Sequence, residues 1–194
     1  MIALVDYGDA CIHEVKASLE KITKDFIVSK NEVDVCRSDK IIFAGCGNAA
    51  SAMKKIHLLN LFSVLRIVKK PMLGIGLGMQ LMMESSDEGN FSCLGFFSGK
   101  AVKFDNSVPD NTYKGLYKVN FCKPCILFNG IDDHTEFYFN NSYYIPLNEQ
   151  ATSSSGKEQM FSASIESGNS FAVQFHPEKS GDAGLKLLKN FIEM

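Results

Sequence analysis

Two segments of the chain carry residues whose types and spacing suit chemistry. The first is Gly74-Ile75-Gly76-Leu77-Gly78, which follows an apolar run and precedes a helical pattern. Glycines that flank a central residue are typical of a nucleophile elbow, a sharp strand-to-helix turn with no room for side chains at its flanks. A thiolate at the centre would be stabilised by the helix dipole. Here the centre is Gly76, which has no side chain, so a glycine-rich turn without chemistry is an equally good interpretation of this segment alone.

The second segment is Val173-Gln174-Phe175-His176-Pro177-Glu178, a strand that leads into a loop. Its histidine and carboxylate, two residues apart, can supply a general base and the group that orients it. A single histidine after a strand is more often structural. The pair therefore indicates a catalytic role only in combination with the other segments.

A third glycine-rich turn, Gly45-Cys46-Gly47, follows the apolar run Ile41–Phe43 and precedes a helical pattern. Its backbone N–H groups could stabilise an oxyanion. The stretch Gly45–Ala50 also fits a G-x-G-x-x-A dinucleotide motif, but it lies on a later strand, and no strand ending in Asp or Glu follows about 20 residues on. Dinucleotide binding is the weaker alternative.

Cys122 and Cys125 have redox-motif spacing without a βαβ context, so we predict two thiols there and neither a metal nor a cofactor.

The first half of the chain alternates short apolar runs with amphipathic stretches, which indicates strands separated by crossover helices. The predicted strands are Ile2–Val5, Ile41–Phe43 and Met72–Ile75, and the predicted helices include Val15, Leu19 and Ile22, then Met53, Ile56, Leu59 and Leu61–Val68. After Gly89 the pattern changes to short strands, and Ala183–Ile192 forms a closing helix. Thr152–Lys157 is predicted to be a mobile loop.

Composition limits the possible partners and the compartment. The 194 residues include 45% hydrophobic and 22% charged ones, with a net charge of -2, which suits one globular domain over residues 1–194. Scattered basic residues predict neither nucleic-acid nor membrane binding. The first residues lack a signal-peptide pattern, so we expect a cytoplasmic protein whose six cysteines are reduced thiols.

Taken in order, the three segments resemble the class I glutamine amidotransferases, specifically the glutaminase subunit of imidazole glycerol phosphate synthase. The elbow and Phe175–Gly181 are the specific matches, while Ile2–Gly8, Glu84–Gly89 and Gly184–Phe191 support them. The resemblance implies a flavodoxin-like α/β sandwich, a three-layer fold whose mostly parallel sheet has an antiparallel extension. It also implies a heterodimer with a (β/α)₈ cyclase or synthase. Such a complex is a lyase of histidine biosynthesis that receives its ammonia from L-glutamine.

The resemblance also implies roles for individual residues. A cysteine, His176 and Glu178 would form the catalytic triad, with backbone N–H groups near Gly47 and Leu77 holding the oxyanion. The other positions are those that grip glutamine or contact the synthase partner: Gln80, Glu88, Ser142 and Tyr143 for glutamine, and Lys179 for the partner.

Several positions depart from the family pattern, above all Gly76 in place of the nucleophilic cysteine. The others are Ala44 in the oxyanion turn, Gly115-Leu116-Tyr117 and Asn141-Ser142-Tyr143. Gly76 fits drift in a natural paralogue or a knock-out made to trap substrate, and the further departures favour drift. We therefore predict no appreciable glutamine turnover. The alternative is a non-catalytic pseudoenzyme that binds and regulates a barrel partner, and the product of the complex, a histidine intermediate or another amidated acceptor, stays open.

Overall fold

Uninterrupted apolar runs form the centre of an eight-stranded sheet in the computed structural model, which describes residues 1–89, 91–105, 112–157 and 159–194. The strands of the chain are β1 (Ile2–Val5), β2 (Phe26–Ser29), β3 (Lys40–Gly45), β4 (Met72–Gly76), β5 (Met83–Ser86), β6 (Phe91–Ser92), β7 (Phe97–Lys103), β8 (Tyr113–Lys118), β9 (Asn120–Phe121), β10 (Glu136–Asn141), β11 (Tyr143–Tyr144), β12 (Ala151–Ser155), β13 (Phe161–Ser167) and β14 (Ser170–Val173). The helices are α1 (Ile12–Glu20), α2 (Glu32–Arg37), α3 (Ala49–Leu58), α4 (Leu61–Ile67), α5 (Leu77–Leu81) and α6 (Gly181–Glu193).

The main sheet has the order β2-β1-β3-β4-β14-β13-β12-β9. Its first five strands are parallel to one another, and β13, β12 and β9 extend it in antiparallel fashion. This confirms the predicted mostly parallel sheet with an antiparallel extension. Parallel strands need covered faces, which explains why β1, β3 and β4 are almost wholly apolar.

Alternate residues of each central strand point to opposite faces of the sheet. Ile2 and Leu4 of β1 pack in one core with α1 and α6, whereas Ala3 and Val5 pack in the other core with α3 and α4. Helices on both faces make the three layers that the sequence predicted. No helix among the described residues is long and apolar enough to cross a membrane.

The prediction of a mobile loop at Thr152–Lys157 was wrong for its first four residues. Ala151–Ser155 forms β12, and its residues are buried between β13 and β9. The hydroxyl groups of Thr152 and Ser153 each lie 2.6 Å from that of Ser164. Because the hydroxyls pair with one another across the sheet, a serine-rich run can be buried there without unpaired polar groups.

Candidate active site

The three segments singled out in the sequence meet at the carboxyl ends of β3, β4 and β14. Gly45 pairs with Gly76 across β3 and β4, and Val173 pairs with Ile75 across β14 and β4. Open α/β sheets bind ligands at this edge. The parallel register therefore brings the oxyanion turn, the elbow and the histidine loop together.

Gly76 occupies the turn between β4 and α5 with φ 59° and ψ -116°. Residues with a side chain rarely adopt this backbone conformation, which is strained for them and unstrained for glycine. Gly78 is required for packing, since a Cβ there would lie 1.9 Å from the carbonyl oxygen of Phe43. The chain thus keeps the elbow geometry while the side chain at its centre is missing.

His176 and Glu178 form the predicted pair. Nδ1 of His176 lies 2.8 Å from Oε1 of Glu178, and the two side chains are 3% and 0% exposed. The N–H of His176 donates to the carbonyl of Tyr138 at 2.7 Å, and the hydroxyl of Ser180 donates to the carbonyl of His176 at 2.7 Å. These bonds fix the backbone of His176. Because Nδ1 is engaged by Glu178, Nε2 is the ring nitrogen left for other partners.

The free side of the imidazole faces the position of the missing side chain. A Cβ built on Gly76 would lie 3.1 Å from Nε2 and 2.7 Å from Cε1 of His176. A thiol at this position would be in reach of a general base. The same Cβ would lie 2.7 Å from the carbonyl oxygen of Gly45, so a side chain at position 76 requires a shift of the neighbouring turn.

The oxyanion turn presents a carbonyl to this position. The N–H of Cys46 donates to Oδ1 of Asp9 at 3.2 Å and is therefore already engaged. An oxyanion hole needs N–H donors aimed at the developing charge. Gly47 and Leu77, which were predicted to supply such donors, both line the cavity described next, and their oxyanion role remains a prediction.

A polar cavity of about 200 Å³ lies between these segments. It contains the four positions predicted to grip glutamine as well as residues that the sequence did not single out for binding. Its lining consists of Cys46, Gly47, Leu77, Gln80, Glu88, Asn140, Asn141, Ser142, Tyr143, Gln174 and His176. Gln174 could have been found from its place in the strand that delivers His176, but Asn140 has no motif of its own.

Hydrogen bonds hold two of the predicted binding residues in place. Nε2 of Gln80 donates to the carbonyl of Tyr143 at 2.9 Å and to Oε1 of Gln174 at 3.1 Å. The carboxylate of Glu88 accepts from Nδ2 of Asn48 and from the N–H of Ala49, both at 2.7 Å. Glu88 thus occupies the N-terminus of α3, where the pyrophosphate of a dinucleotide would bind, and this argues against the dinucleotide alternative.

Lys179, predicted to contact a partner, lies outside the cavity. Its ammonium group pairs with Oε2 of Glu14 at 2.8 Å, and the bond to Glu14 raises the pKa of Lys179. The Lys179 side chain is 34% exposed. It therefore lies at the surface beside the histidine loop, in reach of another chain.

The expectation that all six cysteines are reduced was wrong for two of them. Cys11, at the start of α1, forms a disulfide with Cys46 of the oxyanion turn, and the remaining cysteines (Cys36, Cys93, Cys122, Cys125) are free. Cys11 and Cys46 are 35 residues apart in sequence, and the pairing of β1 with β3 brings their two turns together.

Ligand atoms of Asp9, Cys11 and Cys46 lie within 4.8 Å of one another, as do those of Cys11, His176 and Glu178. Sulfur atoms joined in a disulfide cannot act as thiolate ligands, so this geometry is not a metal centre.

Comparisons with known proteins identify the family of the chain. The family described as glutamine amidotransferase class-I matches residues 3–194. The chain belongs to this family. It is 37% identical over 201 residues to imidazole glycerol phosphate synthase subunit HisH 1 of Campylobacter jejuni, covering 100% of both chains. It is 38% identical over 196 residues to subunit HisH of Haemophilus influenzae, covering 99% of this chain and 96% of that one.

The fold agrees with solved structures of more distant proteins. A crystal structure of a glutamine amidotransferase superposes with a TM-score of 0.75 at 13% identity, covering 99% of this chain and 97% of that one. The structure of PurLQS from Thermotoga maritima contains a chain that superposes with a TM-score of 0.72 at 17% identity, covering 99% and 97%. These neighbours confirm the predicted fold class.

Proposed function

We propose that this chain is the glutamine-binding subunit of an imidazole glycerol phosphate synthase, or of a paralogous complex that supplies ammonia to another synthase. We further propose that it does not hydrolyse glutamine appreciably. The observation that carries the proposal is the buried His176–Glu178 pair, which faces an elbow without a thiol. The full-length similarity to HisH subunits supports a (β/α)₈ barrel as the partner.

The site suits the side chain and the head group of glutamine. The Glu88 carboxylate, which lines the cavity, can attract an α-ammonium group, and the amides of Gln80, Asn140 and Asn141 can pair with polar groups of an amino acid. His176 also lines the cavity, beside the elbow. The cavity thus presents complementary polar groups to a small zwitterion.

Gly76 removes the covalent route. In thiol-based amide hydrolysis the thiolate attacks the carboxamide carbon, histidine protonates the departing ammonia, and water then hydrolyses the thioester. Gly76 has no atom that could form the thioester. Without a nucleophile only positioning and electrostatic effects remain, and we expect a rate loss on the order of 10⁴-fold or more.

A non-catalytic regulatory subunit is the second candidate. It is favoured by one observation, the carbonyl of Gly45, which lies 2.7 Å from the nucleophile position. A backbone carbonyl so close to this position crowds a nucleophile side chain, and the turn offers an acceptor where oxyanion stabilisation needs a donor. In this case the chain would bind glutamine, or only its partner, and change the activity of the synthase without releasing ammonia.

One experiment separates the two candidates. Ammonia release from glutamine is measured for the chain with Gly76 and for Gly76→Cys, each with and without the barrel partner, and glutamine binding is measured by calorimetry. Ammonia release by Gly76→Cys with the partner, and none by the chain with Gly76, would support a dormant glutaminase site. Glutamine binding without activity in any combination favours the regulatory role, and no glutamine binding by either form would contradict the glutamine site.

A further inference from the structure

The Cys11–Cys46 disulfide borders the cavity and has no part in the proposed glutamine chemistry. Its two sulfur atoms differ in access. Cys46 is exposed and lines the cavity, whereas Cys11 is only 2% exposed. Because a thiolate attacks one sulfur of a disulfide and displaces the other, an external thiolate can attack only Cys46. Cys11 is then the leaving group.

The position of Cys11 favours its departure as a thiolate. Cys11 is the N-cap residue of α1, a helix of nine residues, and its side chain makes no capping hydrogen bond. The positive end of a helix dipole stabilises a thiolate. A ring nitrogen of His176 also lies within 4.8 Å of the Cys11 sulfur. The carboxylates of Asp9 and Glu178 face the same sulfur and oppose its negative charge.

Backbone bonds moderate the effect of Asp9. Its Oδ1 accepts from the N–H of Cys11 at 3.0 Å and from the N–H of Cys46 at 3.2 Å. Both donors partly neutralise the carboxylate. The same two bonds hold the oxyanion turn against the start of α1, so the two sulfur atoms would stay close together after reduction.

The surroundings of Cys11 also accommodate the reduced form. Oε2 of Glu178 is buried without a hydrogen-bond partner among the described residues. A disulfide sulfur has no proton to donate, whereas a Cys11 thiol would be a weak S–H donor. The Cys11 sulfur lies within 4.8 Å of a Glu178 carboxylate oxygen, so reduction places a donor near this buried carboxylate.

We propose that Cys46 is a thiol–disulfide exchange site for low-molecular-weight thiols that carry an α-amino-acid group, of which free cysteine is the simplest. The proposal that Cys46 undergoes exchange rests on the exposure and the position of the two sulfur atoms. The preference for an amino-acid thiol rests on the proposed function, since it needs the cavity to bind the α-ammonium group beside Glu88. A cavity of about 200 Å³ holds a molecule of this size.

The exchange runs in two balanced steps. The thiolate of the small thiol attacks Sγ of Cys46, the bond between the two cysteine sulfurs breaks, and Cys11 takes up the proton that the small thiol released. A second small thiol then attacks the mixed disulfide on Cys46 and leaves as the oxidised small disulfide. Cys11 and Cys46 remain as thiols, and the small disulfide reverses both steps.

The test uses protein in which the exposed free thiols have been removed by Cys36→Ser and Cys122→Ser. In this background, Cys11→Ser gives a Cys46 thiol without its disulfide partner, and Cys46→Ser gives a Cys11 thiol without its disulfide partner. Each is incubated with cystine, and the adducts are located by peptide mass spectrometry. We expect rapid adduct formation on Cys46 and adduct formation on Cys11 only after unfolding in urea. Equal reaction of Cys11 in the folded protein, or no adduct on Cys46, would overturn the exchange site.

Two further measurements separate this proposal from the proposed function. Hydroxyethyl disulfide, which has no amino-acid group, should react with Cys46 more slowly than cystine by a larger factor in the folded protein than in urea, where only the leaving thiols distinguish the two disulfides. Glutamine should slow the reaction of the folded protein with cystine. The same ratio of rates in folded and unfolded protein, with no effect of glutamine, would overturn the amino-acid preference. Calorimetry of glutamine binding to the same variants shows independently whether the glutamine site itself exists.

Discussion

Nδ1 of His176 lies 2.8 Å from Oε1 of Glu178, and a Cβ on Gly76 would lie 3.1 Å from the opposite ring nitrogen, Nε2. The imidazole is therefore held by a buried carboxylate on one side and faces the elbow on the other. A carboxylate in this position fixes the tautomer and orientation of a histidine base. The chain keeps this arrangement although the atom that the base would activate is missing.

This geometry predicts that Glu178 orients the base once a thiol is restored. In Gly76→Cys with its partner, adding Glu178→Gln should lower ammonia release on the order of 10²-fold or more, because the imidazole loses the carboxylate that sets its tautomer. Steady-state ammonia release measures the effect. Glu166→Gln, a carboxylate change outside the cavity, is the control. A double variant as active as Gly76→Cys alone would show that Glu178 does not orient His176.

Glu88 is predicted to bind the α-ammonium group of glutamine. Glu88→Gln should weaken glutamine binding by about tenfold to a hundredfold, since a charge-assisted contact contributes roughly 1.5–3 kcal/mol. The matched control is Glu84→Gln, because Glu84 also accepts from a backbone N–H, that of Gly99 at 2.8 Å, but does not line the cavity. Calorimetry measures both affinities. Equal losses in the two variants would contradict the role of Glu88.

Gly78 is predicted to be the glycine of the elbow that packing requires most strongly. A Cβ at position 78 would lie 1.9 Å from the carbonyl oxygen of Phe43, and backbone atoms cannot yield as a flexible side chain can. Gly78→Ala should lower the free energy of unfolding by about 3 kcal/mol or more, at or above the usual range for overpacking. Urea denaturation measures the change.

Gly168→Ala is the control for Gly78→Ala. A Cβ at Gly168 meets nothing within 4 Å, but its φ is +57°. Only the backbone penalty of about 1–2 kcal/mol should therefore appear. If Gly78→Ala lowers the free energy of unfolding no more than Gly168→Ala does, the turn at Gly78 adapts to a methyl group.

The sequence predicted the candidate-site residues that reside in local motifs and missed the features that depend on tertiary contacts. His176, Glu178 and the elbow were recognisable because each lies in a short pattern at the end of an apolar run. The Cys11–Cys46 disulfide was not, since its partners belong to different strand–helix turns. Thr152 and Ser153 have the composition of a loop, and only their pairing with Ser164 across the sheet explains their burial.

The free cysteines are predicted to differ in alkylation. Burial is the main cause that raises the pKa of Cys93 and of Cys125 to about 12 each. A cysteine thiol in water has a pKa of about 8.5. The thiolate is the reactive form, so at pH 8 iodoacetamide should modify the exposed Cys36 and Cys122 first. Raising the pH to 10 should still leave Cys93 and Cys125 mostly protonated and slow to react.

Peptide mass spectrometry after timed alkylation measures this order. Denatured protein is the control, because unfolding removes the burial and should make the four free thiols react at similar rates. Cys46 should become reactive in the folded protein only after treatment with a reductant. Rapid modification of Cys93 in the folded protein at pH 8 would contradict the effect of burial.

Lys179 is predicted to contact the barrel partner. Lys179→Ala should weaken the complex, while the free energy of unfolding of the isolated chain should change by less than about 1 kcal/mol, since the lost ion pair with Glu14 is partly exposed. Lys189→Ala is the matched control, because Lys189 also pairs with a glutamate, Glu193 at 3.6 Å, but on the exposed face of α6. Titration of each variant with the barrel partner gives the affinities. Equal binding by Lys179→Ala and the natural chain would place the partner interface elsewhere, whereas selective weakening by Lys179→Ala would place it beside the loop that holds His176.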